Sequence, residues 1–160
     1  MGYVEAVCIS RKKGIVKKSV LSSKFIENWG IEGDAHAGKW HRQVSLLAGE
    51  SIDRMKEQIP SLSKGAFAEN IITRGINLQK LNVGDELILN DEVILEITQI
   101  GKECHTSCRI QKLTGDCIMP KEGLFARVVK GGNVKPGATI KLFNSLKILT
   151  NNLNLSVSQI

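Results

Sequence analysis

Apolar and polar positions alternate along the chain in short stretches, and turn residues recur about every ten positions. From Tyr3 to Ser10 the alternation predicts a strand with Val4, Ala6 and Cys8 on one face, which makes Cys8 a core residue. Gly14 begins a return through Ile15 to Leu21, and the basic clusters Arg11-Lys-Lys13 and Lys17-Lys18 read as a solvated hairpin turn. Phe25 to Asp34, with Gly30 and Gly33, leads into His36-Ala-Gly-Lys-Trp-His41, a polar loop of the kind on which sites are built. Val44 to Ala48 is a short buried strand. Glu50 to Gln58 is a helix that Ser51 can cap, with Ile52, Met55 and Ile59 on one face and Pro60 as its stop.

Further along, Phe67 to Thr73 reads as a strand, Gly84-Asp85 as a turn, and Glu86 to Leu89 and Val93 to Gln99 as two strands about an Asn90-Asp91 turn. His105 to Leu113 has the pattern of a short helix. Gly123 to Lys130 is extended again, and Pro136-Gly137 turns the chain into a strand from Thr139 to Phe143. Strands outnumber helices and the two do not alternate as a parallel α/β sheet requires. The expected fold is therefore mainly β, a compact closed or partly closed barrel with a few short helices. Residues 1–144 form one expected domain, and residues 145–160, where acidic residues disappear, a C-terminal appendage or tail.

Composition narrows the class. At 160 residues and 42% apolar content the chain can bury one core but not two. It has no apolar run approaching the ~18–20 residues of a membrane span, and its first residues lack the layout of a signal peptide. A cytoplasmic protein is expected, in which the four cysteines serve as thiols or ligands in place of disulfides. The net charge of +6 raises the question of nucleic acid. Its distribution answers otherwise, because residues 101–136 alone carry seven Lys or Arg against three Asp or Glu. With few aromatics to interleave with the basic residues, an anionic small ligand suits the charge better than stacked bases.

That basic stretch holds three of the cysteines, Cys104, Cys108 and Cys117, together with His105. Three chemistries fit such a group. A Cys₃His zinc site has the right donors, but the third cysteine lacks the paired partner usual in zinc knuckles. An iron–sulfur cluster lacks a fourth cysteine, since Gln111 stands where it would be needed. The third is a reactive thiolate that carries sulfur or ligates a soft metal, its charge stabilised by Lys102 and His105 beside Cys104, with Cys108 one helical turn on. The loop histidines His36 and His41 are candidate ligands or solvated side chains, and Asp34, Lys39 and Arg42 can bind phosphate or fix the loop by ion pairs. No nucleotide-binding glycine motif and no serine-hydrolase elbow is present.

Read in order, Gly30-Ile-Glu-Gly-Asp34 with His36-Ala-Gly38, Arg42-Gln-Val-Ser-Leu-Leu47, Gly65-Ala-Phe-Ala-Glu-Asn-Ile71, Leu81-Asn-Val-Gly-Asp85, Gln99-Ile-Gly-Lys-Glu-Cys-His105 and Gly115-Asp-Cys-Ile-Met-Pro120, followed by Glu122-Gly-Leu-Phe-Ala126, resemble the MOSC domain. This is the domain at the C-terminus of eukaryotic molybdenum cofactor sulfurases, also found as short stand-alone bacterial proteins. The resemblance implies a β-barrel and a link to the molybdenum cofactor (molybdopterin), with Cys104 as thiolate ligand or persulfide carrier. Cys104 and Cys117 both match the family's metal-ligating cysteine, and Cys108 and Cys117 are candidates for second ligands or resolving thiols. By the same implication His105 and Lys102 would favour the thiolate, and Arg42, Arg109, Lys121 and Arg127 would hold the anionic pterin phosphate. The expected activity is cofactor binding or sulfur carriage, with a sulfur donor or molybdoenzyme as partner. The alternatives are a molybdenum-dependent reductase of N-hydroxylated compounds, a non-catalytic sorting module, and a structural zinc protein.

Overall fold

Strands whose alternate residues are branched and apolar bury one face most completely when the sheet closes on itself, and this chain does so. The structure, a computed structural model, describes residues 1–103, 110 and 117–143. In chain order its elements are β1 (Gly2–Ile9), β2 (Lys18–Val20), β3 (Ser23–Ile26), β4 (Gly30–Ile31), β5 (Val44–Ala48), helix α1 (Gly49–Lys56) and β6 (Ile71–Arg74). A 3-10 turn (Leu78–Lys80), β7 (Glu86–Leu89), β8 (Val93–Ile100), the short helix α2 (Met119–Glu122), β9 (Leu124–Lys130), β10 (Gly132–Val134) and β11 (Thr139–Phe143) follow. Seven strands form a ring in the order β11, β7, β8, β9, β5, β6, β1 and back to β11, so the barrel is closed. Its pairs are antiparallel except β5 with β6, which run parallel because α1 and a long loop carry the chain back between them. Strand β2 hangs on β1 outside the ring, and a small sheet of β10, β3 and β4 contributes Phe25, Ile31 and Val134 to the interior.

Two apolar clusters lie on the two sides of the barrel wall. The interior holds Val44 and Leu46 of β5, Leu95 and Ile97 of β8, and Leu124, Ala126 and Val128 of β9. The residues between them point outward: Leu47 and Phe125 join Ile52 and Met55 of α1, Phe67, Ile110 and Met119 in the outer cluster. Burial of each large side chain in these clusters contributes about 1.5–3 kcal/mol.

The expected strands at residues 44–48, 86–89 and 139–143 have the bounds read from the pattern, and the Asn90-Asp91 turn has both residues at φ 54°, as a tight hairpin requires. Three expectations are corrected. First, Val4, Ala6 and Cys8 do not share a face. The register against β6 shifts between Val4 and Ala6, so Glu5 is an extra residue, Val4 and Val7 point inward, and Ala6 and Cys8 join the outer cluster. Cys8 is nevertheless fully buried. Second, Phe67 to Asn70 is not strand. The buried carboxylate of Glu69 accepts the N–H groups of Gly65 (2.7 Å) and Phe67 (2.9 Å), and Ala68 sits at φ 61°, so the side chain supplies the partners a sheet would have given. Third, α1 starts at Gly49 and runs to Lys56. No side chain caps its start, and Ser51 is buried within its first turn. The expected helix at 105–113 and the appendage at 145–160 lie outside the described residues, apart from Ile110 in the outer cluster.

Candidate functional site

Of the basic residues in the β1–β2 connection, Arg11, Lys12, Lys13 and Lys18 are exposed as expected, but Lys17 is not, and the reason lies in a close backbone approach. Gly65, at φ +86°, lies so near Lys17 that a Cβ would overlap the Lys17 carbonyl, and the Lys17 N–H donates to the Gly65 carbonyl at 3.0 Å. Lys17 is thereby pressed inward and is 1% exposed. Its ammonium donates to Asp34 Oδ1 at 2.6 Å, to His36 Nδ1 at 2.9 Å and to Ser10 Oγ at 3.4 Å. Asp34 in turn accepts the N–H groups of Ser10 (3.1 Å) and His36 (3.2 Å). A buried ion pair thus ties the loop after β4 to the β1–β2 connection, and Asp34 takes the loop-fixing one of its two expected roles.

Above this pair, on the outer side of β5 and β9, is a cavity of about 240 Å³. Lys13, His36, Arg42 and Lys102 bring its charge and hydrogen-bonding capacity; Ser45, Asn70 and Ala68 line its floor; Trp40, Phe67, Met119 and Phe125 give it apolar walls. No carboxylate is among the residues lining it. The floor is stiff because Asn70 donates to the Cys8 carbonyl (2.9 Å) and accepts from the Ser45 N–H (3.0 Å), so β1 and β5 are joined through it. The Arg42 guanidinium lies 4.7 Å from the centre of the Trp40 ring and 5.5 Å from that of the Phe125 ring, within cation–π reach of both. Its Nε is buried and has no hydrogen-bond partner among the described residues. The Lys13 ammonium stands 5.3 Å over the same Trp40 ring.

A shallower depression of about 540 Å³ adjoins the cavity, shares Arg42 and Lys102 with it, and is completed by Gln99, Ile100, Gly101, Glu103 and Pro120. It is built where the chain leaves β8 toward Cys104. Gly101 is at φ +67°, where a Cβ would overlap the Pro120 carbonyl, and its N–H donates to Gly123 at 2.7 Å. This contact seats Lys102 beside Arg42.

Burial, followed by the nearby Lys17 charge, lowers the His36 pKa from 6.5 to about 4. Burial pushes the Cys8 thiol up to about 12, with Glu69 adding to the effect, so Cys8 is an inert core thiol. Burial also raises Glu69 above the usual carboxylate range, against the lowering effect of its backbone hydrogen bonds.

Of the residues singled out in the sequence, the fold brings Arg42 and Lys102 to one cavity. Arg127 is on the outer face of β9, where it donates to Glu96 at 2.8 Å, and Lys121 is exposed on α2. Cys117 is half-buried against the outer cluster, while Cys104, His105, Cys108 and Arg109 lie outside the described residues. The two loop histidines are separated in role, since His41 bonds Gln99 Oε1 at 2.8 Å and His36 lines the cavity. Among the described residues no group of three or more His, Cys, Asp and Glu is arranged to hold a metal ion. The sequence reading missed Lys13, Lys17, Trp40 and Phe125. The basic run before Gly14 and the pair after it, the aromatic in the His36–His41 loop and the Glu122–Ala126 segment contain them, and none of these signals says that they meet.

The family model of the MOSC domain matches residues 33–141, more than half of the chain. The chain belongs to the MOSC domain family. It is similar to the protein YflK of Bacillus subtilis, 26% identical over 144 residues that make up 82% of this chain and 63% of that protein. It is also similar to a protein of Gibberella moniliformis named reductase, 27% identical over 130 residues, 74% of this chain but 23% of the relative. The chain therefore spans less than two thirds of either relative. Among solved structures, YuaD from Bacillus subtilis superposes with a TM-score of 0.71 at 20% identity, covering 88% of this chain and 94% of that one. YiiM from Geobacillus stearothermophilus gives 0.67 at 17% identity, over 90% of this chain and 76% of that one. At these identities the structural likeness speaks to the barrel alone.

Proposed function

We propose that this MOSC domain binds the molybdenum cofactor through the cavity lined by Arg42, His36 and Lys102, with Cys104 as the thiolate that ligates the metal or carries sulfur for it. The observation that carries the reading is Arg42, set against the Trp40 and Phe125 rings, whose buried Nε–H lacks a partner among the described residues in a cavity it shares with Lys13, His36 and Lys102. A buried donor without an acceptor is costly, and the anionic phosphate of a pterin would relieve it. The residues present therefore fit the group. Arg42, Lys102 and Lys13 would hold the phosphate, and Phe67, Met119 and Phe125 would exclude water from one side of it. Lys102 lies two residues before Cys104, where its charge favours the thiolate, and Cys117 is the second candidate ligand. When bound, the cofactor supplies a thiolate-ligated, redox-active metal.

The test is to purify the protein anaerobically from a host that makes molybdenum cofactor and to measure molybdenum, phosphate and cysteine persulfide in wild type and Cys104→Ser. Molybdenum with phosphate in the wild type and not in the variant is the expected result. Persulfide without metal would make the protein a sulfur carrier, and stoichiometric zinc in both proteins would overturn the proposal in favour of a structural module. A molybdenum-dependent reductase is the second reading, favoured by the Gibberella moniliformis relative named reductase. Turnover of an N-hydroxylated compound by cofactor-loaded protein with an electron donor would establish it.

A further inference from the structure

The hydrogen-bond inventory around Lys17 decides the state of a residue in the cavity. An ammonium has three N–H groups and no acceptor, and those of Lys17 point at Asp34 Oδ1, Ser10 Oγ and His36 Nδ1. His36 Nδ1 must therefore accept. The competing tautomer, with the proton on Nδ1, would turn an N–H toward the Lys17 ammonium 2.9 Å away, and the neighbouring carboxylate oxygen Asp34 Oδ2 is 3.9 Å distant, beyond a hydrogen bond. The backbone that carries the ring is fixed on both sides. The His36 N–H is held by Asp34 Oδ2, and the His36 carbonyl accepts from Trp40 Nε1 at 2.7 Å.

We propose that Lys17 is a positioning residue that fixes His36 as the neutral Nε2–H tautomer, making it a donor-only member of an oxyanion pocket with Arg42, Lys13 and Lys102. The ligand class follows from the donors. Each of these side chains offers N–H groups alone, so the group they suit carries only acceptors, as a phosphate does, and a ligand presenting its own N–H there is disfavoured. A neutral histidine adds a directed hydrogen bond without adding a fourth positive charge to a confined site. The inference rests on the reading of the cavity as an anion site, and the two can be tested apart. A phosphate monoester and a free oxyanion share this chemistry.

The experiment is long-range ¹H–¹⁵N correlation on ¹⁵N-histidine- and ¹⁵N-arginine-labelled protein at pH 7, titrated with inorganic phosphate and, separately, phenyl phosphate. The expected result is a neutral His36 protonated on Nε2, whose Nε2–H resonance moves on titration together with Arg42 Nε–H. Tighter binding of phenyl phosphate would point to an ester as the natural source, tighter inorganic phosphate to a free oxyanion, and either ratio supports the shared chemistry. His36→Phe should weaken phosphate binding about tenfold, and His36→Gln, which keeps an N–H, should restore most of it. A folded Lys17→Met protein should show a mixture of His36 tautomers; the wild-type spectrum decides the matter if that variant does not fold. A His36 protonated on Nδ1, or doubly protonated, overturns the inference. Movement of Arg42 Nε–H with His36 unmoved also overturns it, while leaving the anion cavity intact. If neither group moves with either probe, the cavity reading falls as well.

Discussion

Removing the Lys17 charge is the sharpest test of how the site is held. In Lys17→Met the chain keeps a similar volume at a position 1% exposed, but Asp34, whose side chain is fully buried, loses the ammonium 2.6 Å away. Breaking a buried ion pair by removing one partner costs about 3–5 kcal/mol, because the surviving charge is left uncompensated. Here the carboxylate retains the N–H groups of Ser10 and His36, so the lower part of that range applies, about 3 kcal/mol. For a domain of this size that is a fall in Tm of roughly 6–12 °C. Equilibrium urea unfolding and calorimetry should both show it. The double variant Lys17→Met/Asp34→Asn, which takes away the stranded charge, should recover about 1–2 kcal/mol relative to Lys17→Met. A loss below about 1 kcal/mol in the single variant, or no recovery in the double, would mean that water or rearrangement already compensates Asp34 and that the pair does not hold the loop.

Three further outcomes are expected. Gly101→Ala forces a side chain onto the Pro120 carbonyl at a φ of +67°, so it should cost about 2 kcal/mol in thermal unfolding and weaken phosphate binding by displacing Lys102; an unchanged melt would refute the close approach. Because the folded-state pKa of His36 is depressed from 6.5 to about 4, its contribution to stability is complete above pH 6.5 and is lost as pH falls from 6.5 toward 4, where the unfolded chain takes up a proton that the folded one refuses. Allowing for a ring 30% exposed, the loss is roughly 2 kcal/mol, and it should appear as a pH-dependent difference between wild type and His36→Gln, which cancels the opposing effect of Glu69. Arg42→Met should reduce phosphate affinity at least tenfold by calorimetry, whereas Arg127→Met, at a side chain paired with Glu96 on the outer wall, should change it less than about twofold.

Most of the barrel was legible because its signal is local. Strands β5, β7 and β11 each carry their own alternation, and the Asn90-Asp91 turn carries its own backbone preference. The misread elements are those whose cause lies elsewhere in the chain. Nothing between residues 67 and 70 announces that Glu69 will turn inward and bond the backbone behind it, and a glycine at 65 does not say that residue 17 will lie against it. The site divides in the same way. Arg42 and Lys102 stand out by position near the loop histidines and the cysteine segment. Lys13 and Lys17 look like any basic turn until Asp34, seventeen residues on, and Trp40 draw them in.

The extra residue in β1 has a consequence for how this fold tolerates length change. Before Glu5 the strand belongs to the barrel interior at even positions, and after it at odd ones, so Glu5 works as a phase shifter between two halves of one strand. Its carboxylate is tethered to Arg74 at 3.3 Å, which keeps the odd residue outside the wall. Deleting Glu5 would leave Val4 opposite Thr73 and Ala6 opposite Ile72 as an uninterrupted ladder, with Val7 still inside and Cys8 still outside. The strand thus carries one residue of slack: a residue lost at the bulge is absorbed there, whereas one added to the regular half beyond it would exchange the sides of the residues that follow, in the part of the strand that Asn70 grips beneath the cavity.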